Sequence, residues 1–202
     1  MAQHETYAER RQQIINGALQ AFSEKGYLGT SNRDIARAAR INSAALIYHY
    51  FENKEALFQA VIQECLPPIR MADQVGQLKQ LPADAALQLI ATAIIQALSK
   101  PQTLALLRLV LAEALRDSTM VHLLYQSGSI HMLAFLYDYF GYLMQHGQIK
   151  EADLGATVRC FVGPLFAFIL SNQVLTLPDE NVPTAEVMIE TAVTIFLKGM
   201  AP

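Results

Sequence analysis

Apolar residues recur at helical spacing from the start of the chain. Ile14, Ile15, Ala18, Leu19 and Phe22 form one stripe, with Arg10, Arg11, Gln13 and Gln20 mostly off it. That pattern predicts an amphipathic helix over residues 5–25. Gly26 ends it, because glycine tolerates the backbone that a helix C-terminus needs. Short elements follow. Thr30-Ser31 caps a helix carrying Ile35, Ala36 and Ala39, and Arg40-Ile41-Asn42 forms a turn. Asn42 or Ser43 caps a second short helix over 44–50. Asn53 caps a third, which carries Ala56, Leu57, Phe58, Val61 and Ile62. Pro67-Pro68 stops that helix, since proline cannot continue the hydrogen-bond ladder.

Residues 71–82, with Gly76, read as a loop or frayed helix, and the domain junction falls near 65–70. Five longer helices are expected beyond it, roughly over 84–99, 101–116, 118–146, 151–177 and 184–198. Pro101 suits a first helical turn, Gly147 closes the third of these helices, and Leu177-Pro178-Asp179 closes the fourth. No segment demands a strand. The expected fold class is therefore all-α. Residues 1–65 form a head of short helices with helix-turn-helix spacing, and residues 66–202 form a helical bundle.

Composition adds limits. Hydrophobic residues are 52% of the chain and charged residues 16%, so much apolar surface must be hidden, some of it between subunits. The net charge of −3 excludes a protein coated in basic surface. It leaves room for a local patch, and between Lys25 and Phe51 the cations Lys25, Arg33, Arg37 and Arg40 face Asp34 alone. Cys65 and Cys160 are far apart and outside any CxxC spacing. They suit a reducing, cytoplasmic setting and read as buried, inert thiols. The polar opening MAQHETYAERRQQ is unlike a signal peptide. The most apolar stretch, 160–170, is cut by Pro164 and followed by Ser171, Asn172 and Gln173. It reads as a buried helix too short to span a bilayer, so no membrane partner is expected.

No phosphate-binding glycine loop, HExxH or nucleophile elbow occurs in the chain, and its histidines form no i,i+4 pair. No catalytic residues, metal or cofactor are expected. The head carries a different chemistry. A helix-turn-helix lays its second helix in the major groove of DNA. Ser31, Tyr48, Tyr50 and Lys54 are of the types that hold phosphates, and Arg33 and Ser43 belong to the same DNA-facing set. Ala44, Ala45 and Leu46 are small or apolar, which permits close approach to base edges and packing on thymine methyl groups. His49 can donate or accept at the groove.

The run TSNRDIARAARINSAALIYHYFENKEALF, residues 30–58, resembles the head of the TetR family of regulators. That family's signature has a T-[ST] helix start, an I-A pair, a turn, a [LI]-Y-x-[HY]-F recognition helix and an [SN]-K-E-x-L-[FY] brace. Thr30-Ser31, Ile35-Ala36, Ile47 to Phe51 and Asn53 to Phe58 match in order, and IINGALQAFSEKGY, residues 14–27, resembles the first helix. The resemblance implies that Ser31, Tyr48, Tyr50 and Lys54 meet the DNA backbone. It implies that Ala44, Leu46 and His49 face the groove, and that Ile35, Ala39, Ile47 and Phe51 are core. Three departures stand out. The stretch from Ile35 to Phe51 is one residue longer than usual, with the extra residue in 41–45. Arg40 replaces a frequent glycine. Asn32 replaces a small apolar residue.

For the body, the resemblance implies a homodimer made through the last two long helices, with Phe161, Leu165, Phe166, Ile169, Val187, Val193 and Phe196 at the interface. It also implies an effector pocket among the middle helices. Arg108, Glu113, Tyr125, His131 and Phe135 are the candidate contacts, and walls of Leu, Ile, Met and Phe suit a small, largely apolar effector. The expected protein is a transcriptional repressor released from a double-stranded operator by that effector. The competing reading is a helical small-molecule-binding protein or enzyme whose head is vestigial.

Overall fold

The computed structural model describes residues 6–66, 75–114, 134–176, 178 and 181–202, and no strand occurs among them. Two compact units emerge from the contact pattern, Met1–Pro67 with Pro101–Ser129, and Pro68–Lys100 with Ile130–Pro202.

In the first unit, α1 (Tyr7–Lys25) opens on a reciprocal cap. The Thr6 hydroxyl accepts from the Glu9 N–H at 3.2 Å, while the Glu9 carboxylate accepts from the Thr6 N–H at 2.7 Å. Ser31 and Asp34 repeat that device at the start of α2 (Asn32–Ala38). Both use side chains to satisfy donors that a helix start leaves unpaired. Ser43 caps the next element, and Asn53 caps α3 (Lys54–Cys65). α6 (Pro101–Ala114) belongs to this unit as well and packs on α1 and α3.

The expected helix over 44–50 is instead a six-residue 3₁₀ helix, Ala44–His49. Leu46 N–H bonds Ser43 C=O at 3.1 Å, and Tyr50 N–H bonds Ile47 C=O at 3.0 Å. The segment is squeezed between a turn and the Asn53 cap. The tighter winding, common in such short pieces, lets both Ile47 and Phe51 reach the core.

That core joins Ile14, Ile15, Ala18 and Phe22 of α1 to Ile35, Ile47, Phe51, Leu57, Phe58, Val61 and Ile62. Leu106 and Leu109 of α6 complete it. Burying one such side chain stabilises by about 1.5–3 kcal/mol. Gly17 allows α1 and α2 to touch, since a Cβ there would lie 2.4 Å from the Ala39 backbone nitrogen. At the start of α6, Thr103 Oγ1 donates to the Cys65 carbonyl at 2.6 Å, tying α6 to the end of α3.

The second unit holds α4 (Val75–Leu78), α5 (Ala83–Leu98), α7 (Ala134–Gln145), α8 (Leu154–Ile169) and α9 (Ala185–Gly199). Leu87, Ile90 and Ile94 of α5 are buried with Tyr139, Leu165 and Ile169. Three rings, Phe140, Phe161 and Phe196, meet at centroid distances of 5.2–5.4 Å and bind α7, α8 and α9 together.

Two expectations need correction here. Pro164 does not cut its helix. α8 runs through it and continues as a π turn, Leu170–Val174. The carbonyl that a proline deprives of its donor is that of residue i−4, here Cys160, whose side of the helix is exposed. The resulting run, Leu154–Val174, has 21 residues and a mean hydropathy of 1.7. By length and composition it could cross a membrane, and it is one-third buried. One face of it packs into the unit's core.

The second correction concerns the interface set. Phe161, Leu165, Ile169, Val193 and Phe196 are buried inside their own unit, so they fill a single chain's core. Phe166 is half-buried, and Val187 is 52% exposed. The most apolar stripe of an amphipathic helix goes inward first. What faces outward is milder: Cys160, Gly163, Pro164 and Ala167 on α8, and Val187, Thr191 and Ile195 on α9.

Candidate nucleic-acid interface

α2 ends in a Schellman turn. Ile41 N–H bonds Ala36 C=O at 3.0 Å, Arg40 N–H bonds Arg37 C=O at 3.1 Å, and Arg40 is left-handed with φ 53°. That conformation explains why glycine is frequent at this point in the TetR-like pattern. The turn delivers the chain to Ser43 and the 3₁₀ helix.

A 3₁₀ helix has three residues per turn, so positions i and i+3 eclipse. Ala44, Ile47 and Tyr50 line the inner face; Ile47 is buried and the other two half-buried. Ala45 and Tyr48 line an exposed outer face, and Leu46 and His49 form the third side. This revises the readers expected from the sequence. Ala44 and Leu46 pack partly on the core, whereas Ala45, Tyr48 and His49 are open to solvent. Tyr50 turns inward and lies on the Tyr7 ring at 4.6 Å between centroids.

Tyr48 is held by Asn32, whose Nδ2 donates to the phenolic oxygen at 2.7 Å. The Tyr48 O–H proton stays available to a phosphate oxygen. Ser31 is exposed at the start of α2, and Ser43 at the start of the 3₁₀ helix. Arg33 and Arg40 are exposed, while Asp34 is occupied by Lys25 and lies 3.9 Å from Arg37.

Lys54 departs from expectation. Its ammonium donates to the Thr30 carbonyl at 2.6 Å and sits over the Tyr27 ring, 4.6 Å from the centroid. Burial lowers its pKa, and the Glu113 carboxylate opposes that shift. In this structure Lys54 is committed to the head's interior, not extended towards a phosphate.

The effector contacts expected from the sequence fall in both units. Arg108 is exposed on α6, and Glu113 is buried on the same helix against Gly26; both belong to the first unit. Phe135 is buried on α7 in the second unit. Tyr125 and His131 lie outside the described residues. Sequence reasoning also missed Asn32 as the support of Tyr48, because a contact across 16 positions carries no local signal. Among the described residues, no group of three or more His, Cys, Asp or Glu side chains is placed to hold a metal.

Short helices, a tight left-handed turn and an exposed 3₁₀ segment beside free-standing arginines define a helix-turn-helix DNA-binding protein. Residues 14–61 match the model of the bacterial regulatory proteins of the tetR family, and residues 85–200 match the AefR-like transcriptional repressor C-terminal domain. The chain belongs to the TetR family and is a transcriptional regulator, not an enzyme.

Curated relatives match through the head. The icaADBC biofilm-operon negative regulator IcaR of Staphylococcus epidermidis is 42% identical over 55 residues, which is 27% of this chain and 29% of IcaR. Solved structures match throughout. A TetR-family regulator from Mesorhizobium loti is 28% identical with a TM-score of 0.71, covering 98% of this chain and 100% of that one. The flavonoid-responsive regulator FrrA is 25% identical with a TM-score of 0.67, covering 96% of this chain and 98% of that one.

Proposed function

We propose that the chain is a cytoplasmic, homodimeric repressor that leaves its operator when a small, largely apolar effector binds the body. In this reading residues 1–65 bind DNA and residues 66–202 sense and dimerise, with α6 packed on the head. The observation that carries the DNA-binding part is the outward face of the 3₁₀ helix. Ala45 leaves room for a base edge, Tyr48 presents a held phenol, and His49 stands beside them. Arg33, Ser43 and Arg40 supply the surrounding phosphate contacts, and Ser31, whose donors are both given to Asp34, acts by capping α2. Ala44, Leu46 and Tyr50 act from beneath by fixing the pitch of this face, and Lys54 acts by bracing the head.

Two heads about 34–36 Å apart would enter successive major grooves of a palindromic site. The mild outward stripe of α8 and α9, with Val187 and the edge of Phe166, is the self-complementary face this needs.

The effector reading is supported by Tyr139. One turn after Phe135 on α7, its hydroxyl is buried and has no hydrogen-bond partner among the described residues. Burial, with Tyr142 adding to it, pushes its pKa up to about 12, so it stays a neutral donor. An apolar effector with one hydrogen-bonding group would satisfy it. FrrA, by its name, responds to flavonoids.

The deciding measurement is fluorescence anisotropy of a labelled duplex taken from the DNA flanking the chain's own coding sequence. Binding should be tight at low salt and fall by about 10³-fold or more between 50 and 200 mM salt. Tyr48→Phe and Arg33→Ala should weaken binding to every duplex, whereas changes at Ala45 or His49 should alter which duplex is preferred. No duplex binding at low salt would leave the vestigial-head reading in its place.

A further inference from the structure

The sequence suggests Glu113 as an effector contact, whereas in the structure it lies buried on α6 against Gly26. It is 6% exposed, and a buried glutamate is rare unless a positive charge faces it. It borders a cleft of about 480 Å³ between the end of α1 and α6, which Phe22, Gly26, Arg108 and Leu109 also line. A Cβ on Gly26 would lie 2.3 Å from Glu113 Oε1, so the carboxylate occupies space that only glycine leaves open. Gly26 is itself left-handed, with φ 74°.

On the other side of this corner stands Lys54, stacked over Tyr27 and bonded to the Thr30 carbonyl. The Thr30 hydroxyl donates to Gly26 C=O at 2.6 Å and Ala21 C=O at 3.0 Å. Thr30 precedes the Ser31 cap of α2, and Lys54 begins the helix that follows the 3₁₀ segment. The Lys54–Thr30 bond therefore closes the loop that carries α2 and the 3₁₀ helix. Both ends of that loop meet at a single knot, and the Glu113 carboxylate from α6 lies against Gly26, whose carbonyl the Thr30 hydroxyl bonds, close enough for its charge to act on Lys54.

We propose that Glu113 is a positioning residue of the DNA-reading head: from α6 its carboxylate seats the Gly26–Tyr27 corner and holds Lys54 in the knot that sets the pitch of the 3₁₀ helix. This rests on the DNA-binding reading above. It gives α6 a chemical handle on the reading loop, and it assigns Glu113 to the head and not to the effector pocket.

The test is a double-mutant cycle of E113Q, K54M and E113Q/K54M in the full chain, read by duplex anisotropy against salt and by thermal unfolding. Glutamine keeps the shape and removes the charge. Simple loss of a negative charge from a DNA-binding head would tighten duplex binding. Positioning predicts the opposite: E113Q weakens binding about tenfold and flattens the salt slope, and in the K54M background E113Q has little further effect. A merely structural role would lower the unfolding temperature equally in both backgrounds and leave the salt slope unchanged. E113Q that binds as well as or better than the parent, or losses that simply add, would overturn the assignment. If the parent binds no duplex, the DNA-binding reading fails separately. The unfolding cycle still decides on Glu113 and Lys54: a non-additive loss supports the pairing and an additive one removes it.

Discussion

Asn32 donates from its side-chain amide to the Tyr48 hydroxyl at 2.7 Å, linking the first turn of α2 to the exposed face of the 3₁₀ helix. The residue that departs from the family's small apolar preference thus fixes the direction of a tyrosine, with the phenolic proton left over. Asn32→Ala should free the ring. A hydrogen bond of this kind contributes about 0.5–1.5 kcal/mol, so duplex affinity should fall by roughly two- to tenfold with helix content unchanged. Equal affinities for parent and variant would mean that Tyr48 needs no such support.

Arg40 makes the opposite trade. Its left-handed backbone costs a non-glycine residue roughly 1–2 kcal/mol, partly offset by the lower entropy of the unfolded chain, about 0.4–1 kcal/mol relative to glycine. Arg40→Gly should therefore raise the unfolding temperature slightly. It should also weaken duplex binding and reduce the salt slope by about one contact, because an exposed cation is lost beside the reading face. A variant that is less stable and binds equally well would show that Arg40 does neither job.

Asp34 predicts a pH dependence. The Lys25 ammonium hydrogen-bonds it, and the Ser31 hydroxyl and N–H add bonds of 2.6 and 3.0 Å. Together they hold its carboxyl well below the usual carboxylate range. A folded pKa below the unfolded value of about 3.8 contributes stability that is complete above that value and is lost as pH falls towards the folded one. Asp34→Asn should lower the unfolding temperature at pH 7, and the gap from the parent should begin to narrow as pH falls below about 4 and keep narrowing towards the most acid conditions the fold survives. Melting curves that keep the same gap down to pH 2 would remove Asp34 from the account.

The two cysteines are unlike each other, contrary to the sequence expectation that both are buried. Cys65 is buried, and burial, with Glu64 adding to it, pushes its thiol up to about 11. Cys160 is exposed on α8 beside Gly163 and Pro164. A thiol reagent at neutral pH should label Cys160 in dilute native protein and reach Cys65 only on unfolding. If the outward stripe is the dimer face, labelling of Cys160 should slow as protein concentration rises. Labelling that is independent of concentration while sedimentation reports a dimer would move the interface elsewhere.

Most helix starts were legible because they are local. Ser31, Ser43 and Asn53 are short polar side chains that bond a backbone N–H two or three residues ahead, and that geometry belongs to the sequence neighbourhood. The reading face was legible only in part. Ala44 and Leu46 looked suitable by size, but the choice of Ala45 depends on 3₁₀ winding, which three residues per turn impose and composition does not reveal. The dimer stripe was misread for a related reason. The resemblance places Phe161 and Leu165 at a dimer face because they lie on one of the last two long helices, but their apolarity draws them into their own unit's core.

By itself, the order of residues determined the all-helical class, the caps, the turn at Arg40 and the family, since each depends on neighbours within a few positions or on a linear motif. Only the tertiary structure decided where Lys54 and Glu113 point and which face of each helix remains for a partner. Those outcomes depend on groups distant in sequence competing for the same buried space, and charge placement in that space follows desolvation and the nearest opposite charge, neither of which is written along the chain.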